Sequence, residues 1–88
     1  MKRDEQFRRN NELFGIFMNR ILEEPQFSEA IPQDSQVIFL PEHDPELKKA
    51  NLHLAKSLAA EGKKVVFVRI TLETKTVFVP KLELAESA

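Results

Sequence analysis

The stretch from Gln36 to Pro80 constrains this chain more than any other, because its apolar pattern switches from strand-like to helix-like and back. Val37-Ile38-Phe39-Leu40 is a short, unbroken apolar run, the mark of a strand buried on both faces. Asp44-Pro45-Glu46 then has the chemistry of a helix start. The aspartate can accept a bond from an orphan N–H, the proline needs no N–H of its own, and the glutamate sits where the helix dipole favours negative charge. Gly62 closes this helix, predicted over Pro45 to Glu61, and Lys64 to Ile70 begins a second β-rich run. Strand, helix and strand in this order predict a parallel pair joined by a right-handed crossover.

Glu73-Thr74-Lys75 turns the chain and Thr76-Val77-Phe78-Val79 returns, so a third, antiparallel strand is expected, ended by Pro80. The turn lacks an Asn-Gly or Asp-Gly signature, which leaves its register open. Leu82 and Leu84 alternate with charges beyond it, enough for a short edge strand or a docking arm.

Upstream, residues 4 to 24 predict a helix ended by Pro25. At about 100° per residue, Phe7, Leu13, Phe14, Phe17, Met18, Ile21 and Leu22 occupy roughly half of its circumference. Packing of this half is expected to hold the helix. Ile16 projects from the polar side, either as a scattered surface residue or as a partner contact. Asn10 and Asn11 flank Phe7, either wetted or lining a cleft. Gln26 to Ile31, between two prolines, predicts one helical turn.

The expected fold is therefore α/β over a single domain, residues 1–88, with topology αβαββ. Its three-stranded mixed sheet has strand order 1-2-3, the first pair parallel and the last antiparallel. The second strand is expected to be central, with one main helix on each face. That order leaves the very apolar first strand at an edge, and pairing of two such edges in a homodimer would protect it.

Several chemistries are disfavoured. Thirteen basic and fourteen acidic side chains, interspersed to a net charge of -1, give no electrostatic footprint for nucleic acid or a membrane surface. No cysteine is present, which removes disulfides, thiolate metal sites and cysteine nucleophiles and fits a reducing, cytoplasmic location. Met1-Lys2-Arg3 is followed by Asp4-Glu5-Gln6 where a signal peptide needs an apolar core, and no apolar run reaches membrane-spanning length. His43 and His53 are badly placed to share a metal, so no metal or cofactor is expected. The serines lack a nucleophile-elbow context, and Glu73-Thr74-Lys75 matches only half of a metal-dependent nuclease signature.

What remains is a set of candidate ligand-binding residues: Glu42, His43, Asn51 and Arg69. Glu42 and His43 follow the first strand, where open α/β sheets bind ligands, but the loop has no glycine for a phosphate to approach. Asn51 and Arg69 each interrupt an apolar surface. Each must find partners, either as a satisfied structural element, such as Arg69 with Glu12, or as part of a lined pocket.

Val37-Ile38-Phe39-Leu40-Pro41-Glu42, Asp44-Pro45-Glu46-Leu47, Ala50-Asn51-Leu52, Glu61-Gly62-Lys63, Val68-Arg69-Ile70, Val77-Phe78-Val79-Pro80 and the earlier Asn11-Glu12-Leu13-Phe14 together carry a resemblance. The chain resembles a family of small prokaryotic proteins known as a domain of unknown function. The resemblance implies a compact α/β domain and brings no catalytic residues. Two functions are compatible with the sequence: a non-enzymatic protein-interaction or regulatory module, and a small-ligand or nucleotide-related activity at the C-terminal ends of the parallel strands.

Overall fold

The computed structural model describes residues 1–73 and 80–83. Its elements are α1 (Arg3–Glu23), α2 (Gln26–Glu29), β1 (Gln36–Pro41), α3 (Pro45–Ala60) and β2 (Val65–Ile70). Strands β1 and β2 run parallel, with Gln36 opposite Val65 and Pro41 opposite Ile70. The third strand expected over Thr76 to Val79, and Leu84 of the tail, lie outside the described residues.

Both ends of α3 follow from local chemistry. The Asp44 carboxylate accepts the N–H of Leu47 at 3.2 Å, with Pro45 at the first helical position. At the other end Gly62, at φ 82°, places its N–H on Ala59 O, and Lys63 N–H reaches Leu58 O. This pair of bonds is the glycine-dependent Schellman closure, and a side chain at that φ would strain it.

Alternation along the strands sorts the core. Val37, Phe39 and Pro41 share one pleat face with Val66, Val68 and Ile70, as the register dictates. Phe39 and Ile70 form a buried cluster there with Leu13 of α1 and Leu47 of α3, against which Phe17, Val37 and Val68 pack. The Phe17 and Phe39 rings meet edge to face at 5.4 Å, the arrangement aromatic quadrupoles favour. Ile38 and Leu40, on the opposite pleat face, are buried as well. β1 is thus covered on both faces, as its unbroken apolar run requires.

Two expectations are corrected. β2 is the more open strand, with Phe67 and Arg69 exposed on one face, because α3 lies along β1 and scarcely touches β2. The main helices are not separated by the sheet. Leu13 and Leu47 meet in one cluster, and polar side chains bridge the two helices directly.

Only Leu13 of α1 is buried. Gly15 stands in the middle of this helix, where glycine costs about 1 kcal/mol relative to alanine. A methyl group added there would meet nothing within 4 Å, so nothing among the described residues requires the glycine.

Candidate functional site

Asn51 is 1% exposed, on the side of α3 that faces α1 and β1. A primary amide offers two donors and two acceptor sites, and here all four are used. Its Oδ1 accepts from Gln6 Nε2 and Asn10 Nδ2, each at 3.0 Å. Its Nδ2 donates to Asn10 Oδ1 and to the Phe39 carbonyl, each at 2.9 Å.

The Phe39 carbonyl belongs to the outer edge of β1. Gln36 and Glu42 donate their N–H groups to Lys64 O and Ile70 O, so the even-numbered residues of β1 face β2. Odd-numbered residues of a parallel ladder must then face the other way. Asn51 caps this edge from within the chain, at the position where edge-to-edge pairing of two first strands had been expected to protect it. With its capacity filled, Asn51 has no group left to offer a ligand. Asn10 is neither wetted nor lining a cleft; it is half of a reciprocal amide pair.

Glu42 and Arg69 meet at the strand ends. Lys48 Nζ donates to both Glu42 oxygens at 2.9 and 3.1 Å, and Arg69 Nε lies 3.2 Å from Glu42 Oε1. The hydrogen bond from Lys48 pulls the Glu42 carboxyl below its ordinary range, helped by the charges of Lys48 and Arg69. The Arg69 side chain is 70% exposed, so the expected burial and the pairing with Glu12 are both corrected; Glu12 instead bonds Arg8 at 2.7 Å. Arg69 lies on the pleat face that the α1 cluster leaves open, which removes the need for a buried partner.

His43 is exposed beside a shallow depression of about 250 Å³ with Arg8, Arg9, Asp44 and Leu47. Here Arg9 Nη1 donates to both Asp44 oxygens at 3.2 and 3.3 Å and lies 3.4 Å from Glu46. Arg9 therefore links α1 to the N-terminal cap of α3. Its other partner is Glu5, whose carboxyl is held down to about 2 by hydrogen bonds from Arg8 first and Arg9 second. The four candidate residues thus fall into three places: Glu42 with Arg69, His43 apart, and Asn51 sealed inside. Among the described residues no group of three or more His, Asp or Glu is arranged to hold a metal ion, and no helix is long and apolar enough to cross a membrane.

A larger groove of about 480 Å³ runs between the C-terminal half of α1, Phe27 and the end of β2. Ile16, Phe17, Ile21, Val68, Ile70 and Leu72 supply most of its apolar wall. Ile16 thus belongs to a concave surface.

The outward side of α1 is the feature least anticipated. Phe7 is 68% exposed, Phe14 52%, Met18 39% and Leu22 77%, although all four belong to the apolar half expected to pack inside. The signal was in the width of that half. An arc of about 180° exceeds the stripe of roughly 100° that one core contact needs, so part of it was bound to remain outside. Gln6 was missed for the opposite reason, since polarity alone gives no hint of an inward amide.

No curated protein and no solved structure matches the chain. The model of DUF5647, a family of unknown function, matches residues 5–81, which takes in all five elements apart from the first two residues of α1, and the chain belongs to that family.

Proposed function

We propose that this protein is a non-enzymatic protein-interaction module that acts in the cytoplasm through the outward face of α1. The observation behind this reading is the exposed stripe of Phe7, Phe14, Met18 and Leu22. Taking about 200 Å² for a large apolar side chain, these exposures sum to roughly 450 Å² of apolar surface on one helix. Patches of that size on soluble proteins commonly mark interaction sites. Phe7, Phe14 and Met18 are of the residue types enriched at protein interfaces relative to the rest of the surface. The ligand reading has less behind it, because Glu42, His43, Asn51 and Arg69 do not converge on one concavity.

A photo-crosslinking residue placed at Phe14 in cells expressing the chain tests the proposal. Position 14 is expected to trap a polypeptide, whereas the same residue at the exposed Lys56 of α3 is expected to trap none. A surface at Phe14 that yields no protein adduct would contradict it.

A further inference from the structure

We infer that the occupant of the outward face of α1 is a second copy of this chain, bound antiparallel through α1 about a two-fold axis between Phe14 and Gly15. This inference rests on the interaction-module reading and names its partner. In sequence, the midpoint of Phe7 and Leu22 falls between Phe14 and Gly15. An antiparallel pair centred there sets Phe7 of each copy against Leu22 of the other, and Phe14 against Gly15. The large ring meets the one position of the helix with no side chain.

This accounts for a glycine that the described residues leave unexplained. Among the described residues nothing lies within 4 Å of a methyl group built on Gly15, so none of them needs the space that the glycine leaves. At about 100° per residue the four apolar residues span about 80° of the helix, and Gly15 borders them. Phe7 pairs with Leu22 and Phe14 with Gly15 across the axis, while Met18 faces the exposed Asn11, so the stripe is self-complementary at three of its four apolar positions.

Charge selects the direction. A parallel pair in register would set Asp4 against Asp4 and Arg8 against Arg8, whereas the antiparallel pair sets Arg8 near Ile21 and Asn19 of the other copy. Opposed helix dipoles favour the antiparallel arrangement as well. The apolar area approaches what a stable dimer needs. Two stripes of roughly 450 Å² supply about 900 Å² of apolar surface, most of the roughly 1,200 Å² at which stable interfaces begin, before polar flanks are counted. A second copy also suits a small chain with only seven buried hydrophobic residues among the described ones.

The chain contains no cysteine, so introduced thiols report without background. Purified protein is expected to sediment as a dimer. On mixing, F7C chains and L22C chains should form a disulfide between unlike copies, while F7C alone should not crosslink to itself. F14D should weaken dimerisation by roughly 100-fold or more, with unchanged helical content. G15L separates the inference from a general loss of folding, because a leucine favours the helix in the monomer but blocks approach of Phe14. It should therefore leave the monomer at least as stable and weaken the dimer. A monomer at high micromolar concentration, or F7C crosslinking to F7C, would overturn the inference. If the purified chain is monomeric while a crosslinker at Phe14 traps a different protein, self-pairing falls and the interaction module stands. If it traps nothing, both fall.

Discussion

The inward side of α1 presents Gln6 and Asn10 to the buried Asn51, whereas its outward side presents Phe7, Phe14 and Leu22 to solvent. Leu13 and Phe17 still enter the core from this helix, but its amides inside and its exposed rings outside depart from the distribution expected of a surface helix, and each side has its own physical account. Polar groups are tolerated inside because every donor and acceptor of Asn51 is matched. Apolar groups outside have no such closure. The inner side is a finished structure; on the proposed reading the outer side is one half of an interface.

The largest effect should come from opening the inner side. Asn51→Ala leaves Phe39 O and the Gln6 and Asn10 amides unpaired in a buried site, at a cost on the order of 3 kcal/mol by urea denaturation. Asn51→Asp should be no milder, since a carboxylate cannot donate to Phe39 O.

A smaller effect is expected where the two helices are clipped together. Asp44→Ala removes both the cap on Leu47 N and the partner of Arg9, and should cost about 1–2 kcal/mol. Arg9→Met in the same background should add little, because its main tertiary contact has already gone.

The smallest effect is in acid. Glu5 is lowered from 4.5 to about 2 by its arginine partners, so its ionised form favours the folded state. Its contribution is complete above pH 4.5 and is lost as pH falls towards about 2, where the folded protein also takes up the proton. Because Glu5 lies on the surface, Glu5→Gln should flatten only a minor part of the acid limb in a pH-dependent thermal melt.

Much of the fold was legible because it rests on local rules. The apolar run of β1, the Asp44-Pro45 start of α3 and the Gly62 closure each depend on a few adjacent residues, and the parallel pairing follows from crossover geometry. The candidate site was less legible because it depends on what meets across the chain. Asn51 could be recognised as a polar group in an apolar arc, but Gln6, forty-five residues away, could not be named as its partner. Arg69 looked buried because its strand neighbours are apolar, yet burial is set by where α3 lies, and α3 follows β1. The apolar arc of α1 showed how much greasy surface the helix has and not how it divides between core and exterior.

Urea titrations of the wild type, Asn51→Ala and Phe14→Ser over a range of protein concentrations test the division of α1 most directly. The account predicts that the wild-type midpoint rises with concentration, since a dimer is stabilised by mass action. Asn51→Ala should lower the midpoint at every concentration, and Phe14→Ser should abolish the rise while leaving the dilute midpoint in place. A Phe14→Ser chain as destabilised as Asn51→Ala at the lowest concentration would put Phe14 in the core of the single chain and contradict the account.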